Sequence, residues 1–397
     1  MQTAYARPSR YRTSQPEEDR DTKEAIWKRF GPFDPSEVDP YDDDHPLSPS
    51  NFSYADLRKV SFPMADFESF RFSSADLQGA NLPKSNLQHT RFHEANLQGA
   101  NLRGSDLRHA ILEYANLQDA DLRDANLQDA DLAGANLHGA HFRAADLQGK
   151  ILYNIHYPEG DFHELDLPGC HLSEAHLPEA NLEKTNLQGA DLKNSHLQSA
   201  TLEETNLEEA NLEGANLQNT NLRKANLRRA NLESVNLQEA DLRGANLQGA
   251  HLESVNLRGA NLQGANLEKA NLERAHLEGA VLEAANLRKA YCQEANFEEA
   301  NLREANLERA HLEEAHLYGA QLENADLRGV NLWGASLERA DLRRANLRGT
   351  NLEEANLEGA NLQETRNLSR PSKWCFDDKT VFPAEFDPGT ASCEDWT

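Results

Sequence analysis

Apolar residues recur at every fifth position through most of this chain. The series begins at Phe52 and runs to Leu362 without insertion or deletion, which makes 63 consecutive units. The central residue is Leu in 53 of these units, and it is Phe in all others except Tyr157 and Cys292. A small residue, usually Ala, stands two positions earlier, and Asn or Asp stands between them. The consensus is therefore Ala-(Asn/Asp)-Leu-x-x.

A period of five excludes the two ordinary amphipathic elements. Helical residues advance by about 100°, so apolar residues five apart would be spread over all sides of a helix. A single straight strand has a side-chain period of 2 and would send successive Leu residues to opposite faces. The chain must therefore turn once in every repeat.

The positions within one unit indicate the shape of that turn. Ala and Leu lie two residues apart, so in an extended segment both point to one side and the Asn or Asp between them points away. The two variable residues are rich in Gly, Asp, Asn and Glu, which suit a corner. Four corners close a square coil of about 20 residues, with coils stacked at roughly 4.8 Å. We therefore predict an all-β parallel β-helix of about 16 coils, a rod on the order of 75 Å long, filled by Leu and Ala.

This consensus resembles the pentapeptide-repeat family over about 315 of the 397 residues. The resemblance implies a right-handed quadrilateral β-helix; the spacing gives the coil but not its hand. We expect three segments. Residues 1–50 form a largely disordered N-terminal segment with a short helix over 22–30, residues 51–365 form the pentapeptide-repeat β-helix, and residues 366–397 form a C-terminal cap or tail.

The ends of a solenoid expose an apolar coil and unpaired backbone, so the flanking segments are candidate caps. The C-terminal segment brings together Trp374, Phe376, Phe382 and Phe386, which favours a cap over the last coil. In some members of the family that it resembles, the C-terminal end builds a two-fold dimer, so a homodimer through a terminal end is an open alternative. Both interpretations make these aromatic residues interaction candidates.

The N-terminal segment leaves three interpretations open. Its predicted helix would place Ile26, Trp27 and Phe30 on one side before Gly31 and Pro32 end it. This helix either caps the first coil, binds a partner, or has no ordered role. Trp27 is therefore a further interaction candidate.

The repeat degrades once, between about 150 and 170. There the inward position that is normally Ala is occupied by Lys150, Ile155, Gly160, Leu165 and Cys170. An unpaired buried ammonium is costly, so the first of these side chains must reach solvent or a partner. The period of five continues through the stretch, so we expect a bent or bulged coil rather than a domain boundary.

Composition narrows the classes of function. The net charge is −26, and only 38% of the residues are hydrophobic and 7% aromatic, too few for a conventional compact enzyme of this length. We find no phosphate loop, nucleophile elbow, HExxH or paired-Cys motif, so we predict no enzyme, no catalytic residue and no cofactor. Sparse Cys and the lack of a signal-peptide or membrane-span pattern predict a cytoplasmic protein. The acidic balance argues against direct binding of nucleic acid or membranes.

Histidine is the one residue type whose spacing could bring ligands together. His156, His176 and His196 lie 20 residues apart and would stack on adjacent coils. Such a column could capture a divalent metal, although parallel imidazoles offer no closed coordination shell. The alternative is that these residues replace Asn in a ladder of outward amides. We therefore predict no metal site and retain the three histidines as weak candidates.

The charge excess is uneven around the predicted coil. It is concentrated on the face containing Leu112, Leu212 and Leu312 and on the adjacent face containing Leu117 and Leu217. We therefore predict a non-enzymatic structural or protein-protein interaction rod that presents flat β-faces and an acidic edge to an unidentified protein partner.

The resemblance implies an alternative function. Some pentapeptide-repeat proteins mimic DNA and bind a type II topoisomerase, which leads to gyrase inhibition or quinolone protection. Two features argue against it here. The repeat would carry one net charge per about 4 Å, compared with about 1.7 Å for B-DNA. A basic patch, formed by Arg223, Lys224, Arg228 and Arg229, also interrupts the acidic surface.

Overall fold

The computed structural model describes residues 50–143, 147 and 152–389. Its contacts divide the chain into two compact units, Met1–Asp146 and Leu147–Thr397. This division lies just before the stretch in which the repeat degrades. The segment boundaries at 50/51 and 365/366 stay predictions, and the helix over 22–30, Trp27 and Lys150 lie outside the described residues.

Each pentapeptide in the described part of the repeat makes one β-turn at its two variable positions. In the turn from Leu207, the backbone N–H of Ala210 donates to the Leu207 carbonyl at 3.1 Å. The second variable residue has a positive φ, whether it is Glu209 at 59° or Gly189 at 65°. A positive φ confined to the third residue of a turn is the type II pattern. The variable residues therefore form the corners.

Parallel pairing joins residues that lie 20 apart. The bridges run from Asn51↔Arg71 to Asp121↔His141 in the first unit, and from His156↔His176 to Asn346↔Arg366 in the repeats of the second. Most Leu N–H groups donate to the carbonyl of the residue 19 positions on, in the next coil, as Leu207 does to Asn226 at 2.7 Å. Four pentapeptides therefore complete one coil.

The pairing consists of single bridges and not of strands. Over the described ranges, the chain contains no α-helix and no run of consecutive paired residues. Each turn occupies four residues of every five, from one Leu to the small residue of the next unit, so only the Asn or Asp is left to bridge. The extended segments expected from the sequence are therefore shortened to one residue, and the described part of the coil is built from single bridges and not from strands.

The core of each unit is a column of Leu and Ala. Leu207, Leu232 and Ala210 are completely buried. Polar residues at the small inward position are accommodated by backbone bonds: the hydroxyls of Thr185 and Thr205 each donate at 2.6 Å to the carbonyls of Phe162 and Leu182. Nothing helical in the described part of the chain has the length and apolarity of a membrane span.

Candidate functional site

The outward Asn residues form amide ladders across the coils. Asn206 donates its Nδ2 hydrogen to Oδ1 of Asn186 at 2.9 Å, and Asn226 donates to Asn206 at 3.0 Å. The same Oδ1 of Asn206 also accepts the backbone N–H of Glu208 at 3.3 Å. This second bond, from the residue two positions on, is an Asx turn that the sequence argument did not anticipate. Asn therefore has two structural roles, which explains its frequency without a functional site.

Asp at the same position is commonly paired within its own unit. Asp121 accepts from Arg123 at 2.8 and 2.6 Å, and this side-chain bond is the main reason that the pKa of Asp121 falls to about 2. The motif Asp-Leu-Arg recurs with the same geometry at Asp106, Asp241, Asp326 and Asp341. The spacing of two residues between Asp and Arg is visible in the sequence, but the ion pair was not predicted from it.

Ion pairs between coils neutralise much of the charge on two faces of the second unit. Lys224 pairs with Glu204 at 2.8 Å on one face, and Arg288 pairs with Glu268 at 3.0 Å on the next. Arg228 likewise pairs with Glu208. The predicted basic patch is therefore matched by carboxylates one coil away, so it is not a free cationic surface.

The two remaining faces keep unpaired carboxylates. Exposed glutamates on these faces that are in no ion pair with any described residue include Glu233, Glu294 and Glu314 on the face of Leu212 and Leu312, and Glu239, Glu298 and Glu299 on the adjacent face. Glu304 is likewise exposed and in no such pair but lies on the face of Leu302, so most, though not all, of the unpaired glutamates of these repeats lie where the sequence predicted the acidic edge.

The structure brings together the three predicted histidines. The rings of His176 and His196 are stacked with centroids 4.5 Å apart, and His156 lies 5.8 Å from His176 with its ring tilted by 53°. Partial burial, followed by the two neighbouring imidazoles, lowers the pKa of His176. Among the described residues, no group of three His, Cys, Asp or Glu side chains is arranged to hold a metal ion. The histidines stay metal candidates on their spacing alone.

The C-terminal aromatic residues form one cluster. Trp374 is buried, and its ring centroid lies 5.7 Å from Phe376, 5.4 Å from Phe382 and 6.1 Å from Phe386. The segment also continues the backbone ladder, since Cys375 bridges Asn356 and Val381 bridges Asn361. This geometry suits a cap. It leaves the three Phe residues only partly buried, so their role in an interaction stays a prediction.

Two cysteines lie at inward repeat positions, as predicted. Cys292 is completely buried and Cys170 is partly buried. Burial raises the pKa of the Cys170 thiol to about 12, and it raises the pKa of the Cys292 thiol as well. Thiols held protonated in this way are poor nucleophiles and poor metal ligands.

Comparison with known proteins shows the family. The model of pentapeptide repeats matches this chain over residues 50–149, 161–233 and 236–364. Comparison with curated protein sequences gave no match.

Several solved structures are similar to parts of the chain. HetL, a pentapeptide-repeat protein involved in regulation of heterocyst differentiation in Nostoc sp. strain PCC 7120, is 36% identical; the match covers 51% of this chain and 89% of HetL, with a TM-score of 0.27. Rfr23 from Cyanothece 51142 is 37% identical over 32% of this chain and 63% of its own, with a TM-score of 0.14. QnrB1, a plasmid-mediated fluoroquinolone resistance protein, is 17% identical over 55% of this chain and 93% of its own, with a TM-score of 0.32. Because the repeat model matches well over half of its length, this chain belongs to the pentapeptide-repeat family, whose fold is a right-handed quadrilateral β-helix.

Proposed function

We propose that this chain is a non-enzymatic structural or protein-interaction repeat protein that offers its acidic faces to a protein partner. The observation that carries the proposal is the row of exposed, unpaired glutamates on two adjacent faces of the second unit, fixed in place by the 20-residue repeat. Proteins of this family are generally structural or interaction proteins. The composition supports a cytoplasmic location for such a protein.

The backbone bonds determine how recognition would work. In a typical unit, three of the five N–H groups bond to neighbouring coils, one closes the turn, and one is held by the Asn or Asp side chain, as at Leu207, Glu209, Ala210, Asn211 and Glu208. No N–H group in such a unit is left to pair with an added strand. A partner would therefore be bound through outward side chains.

The test is an affinity capture with full-length protein and with a variant lacking residues 1–50. Retention of the same partner by both proteins is the expected result, because the acidic faces lie outside the deleted segment. If neither protein retains a specific partner, the interaction function is wrong. Retention by the full-length protein alone would assign recognition to residues 1–50 and to candidates such as Trp27.

The second candidate function is a DNA mimic that binds a type II topoisomerase. The uncompensated charge on two adjacent faces favours this function. The ion pairs on the other two faces reduce the area over which the protein could mimic DNA. A DNA gyrase supercoiling assay, with and without a quinolone, tests it. The absence of both inhibition and protection at micromolar protein would exclude this function.

Two finer features belong to the same proposal. The repeat predicts about 16 coils by its 20-residue period, and the C-terminal aromatic cluster is a candidate site for a homodimer. Light scattering separates a capping role from a dimer interface: a monomer whose stability falls on Phe386→Ser supports a cap, and a dimer that dissociates on the same change supports an interface.

A further inference from the structure

The face of the second unit whose central residues are Leu212, Leu252, Cys292 and Leu332 differs from the other three. We refer to it as the acidic aromatic face. Between residues 152 and 354 its outward positions hold eleven acidic residues but only two basic ones, Lys193 and Arg274. Those two cations are already paired, with Glu213 at 2.9 Å and with Glu253 at 2.5 Å.

The same face carries the exposed Tyr and Trp side chains of the described part of this unit. Among its described residues, the large apolar side chains that are exposed are Tyr153, Tyr291, Trp333 and Val381, and the three aromatic ones all lie on the acidic aromatic face. Tyr291 is 47% exposed and Trp333 is 39% exposed. Aromatic residues are enriched at protein interfaces, and on this face they lie among carboxylates. The adjacent acidic face has no exposed large apolar side chain in the described part of the unit.

Two buried acceptors lie between the two aromatic residues. Gln293 Oε1 and Glu313 Oε2 are inaccessible and accept no hydrogen bond from a described residue. They lie on successive coils, beside Tyr291, whose ring stacks on His311 at 5.1 Å. The other oxygen of Glu313 accepts from Asn331 at 2.6 Å, which fixes the carboxylate.

We infer that the acidic aromatic face binds an Arg-rich segment of a partner protein. Guanidinium groups supply several N–H donors to carboxylate and amide oxygens, and they stack on Trp and Tyr rings better than ammonium groups do. The charge complementarity and the exposed rings both favour Arg over Lys. This inference rests on the proposed interaction function and specifies the face and the partner chemistry.

The test measures binding of fluorescein-labelled nona-arginine and nona-lysine to the full-length protein by anisotropy at physiological salt. Wild type should bind nona-arginine more tightly than nona-lysine. The double variant Tyr291→Ser with Trp333→Ser, which keeps the charge, should lose about tenfold for nona-arginine, since two exposed cation–π contacts are removed, and little for nona-lysine. The matched control is Tyr318→Ser on the adjacent face, which should leave both affinities unchanged.

The contribution of the carboxylates on the acidic aromatic face is tested separately from that of the aromatic rings. The triple variant Glu233→Gln, Glu294→Gln, Glu314→Gln should weaken nona-arginine binding by about tenfold. The control triple variant Glu239→Gln, Glu298→Gln, Glu299→Gln makes the same change in net charge on the adjacent face and should have a clearly smaller effect. Equal losses for the two triple variants, or no effect of the aromatic variant, would overturn the inference in favour of unspecific attraction.

Two further outcomes separate this inference from the proposed function. If the captured cellular partner is retained equally by wild type and by the first triple variant, the interaction function stands and the assigned face is wrong. If wild type self-associates with increasing concentration and that triple variant does not, the face binds a second copy, and the Arg-rich partner is likewise excluded. Equal melting temperatures for all variants would show that the fold is retained.

Discussion

The amide ladder gives a quantitative prediction for Asn206→Ala. The substitution removes three hydrogen bonds: the bond donated to Asn186, the bond accepted from Asn226, and the Asx-turn bond from the backbone of Glu208. A typical intramolecular hydrogen bond contributes about 0.5–1.5 kcal/mol net. Because the ladder is only partly buried, we expect a loss of about 2 kcal/mol in the free energy of unfolding.

Asn261→Ala is the matched control. Asn261 is partly buried, as Asn206 is, but among the described residues its side chain makes one hydrogen bond, accepting the N–H of Gln263 at 3.1 Å. Its neighbour 20 residues on is Val281, which has no polar side chain. The same substitution should therefore cost about 1 kcal/mol or less at this position.

Urea unfolding followed by circular dichroism measures the two losses, and hydrogen exchange locates them. The amide of Glu208 should exchange faster in Asn206→Ala, and so should the amide of Gln263 in Asn261→Ala. A repeat array can unfold in parts, so the local exchange rates are the more direct readout. Equal losses of stability in the two variants would refute the contribution assigned to the ladder.

Three further predictions follow from other features of the fold. Burial and the two neighbouring imidazoles lower the pKa of His176 in the folded protein, so protons bind better to the unfolded chain. Stability should therefore be full above about pH 6.5 and fall as the pH drops below it. His176→Asn should reduce that fall in melting temperature, and an unchanged pH profile would contradict the effect assigned to His176. Gly189→Ala should cost about 1 kcal/mol through its positive φ alone, whereas Gly134→Ala should cost more because its Cβ would lie 2.3 Å from the ring of Tyr114; thermal melts should show that Tyr114→Ala rescues only the second variant. Leu232→Lys should strongly lower the melting temperature because it buries an unpaired charge, while Glu233→Lys should be nearly silent, and equal melts would contradict the assigned inside and outside.

The coil could be predicted from the sequence because its signal is repeated. A Leu every five residues is incompatible with helix and straight strand, and the bridges between residues 20 apart agree with the predicted four-sided coil. The single-residue bridging was not predictable from apolar spacing. It depends on where the turn begins, and the carbonyl of the Leu itself closes that turn.

The outward surface was predicted less completely. The uneven charge could be counted from the sequence, and the column of His156, His176 and His196 followed from the period. The ion-pair partners of individual charged residues could not be predicted, because pairing depends on side-chain conformations. Arg288, for example, reaches Glu268 in one neighbouring coil and Glu308, at 3.6 Å, in the other. The Asp-Leu-Arg pairs are the exception, because their spacing of two residues is fixed along the chain.

The left-handed corner position has a consequence for finding binding determinants. Gly is the least strained residue there, yet many corners carry charged residues at positive φ, such as Glu209, Arg229, Lys269 and Glu314. Each of these costs roughly 1 kcal/mol of backbone strain that Gly would avoid. The backbone conformation of the corner does not require these charged residues. Substituting one of them by Gly should therefore raise the stability of the fold while it removes a surface charge. Corner-to-Gly substitutions can therefore separate what the surface contributes to binding from what the fold requires.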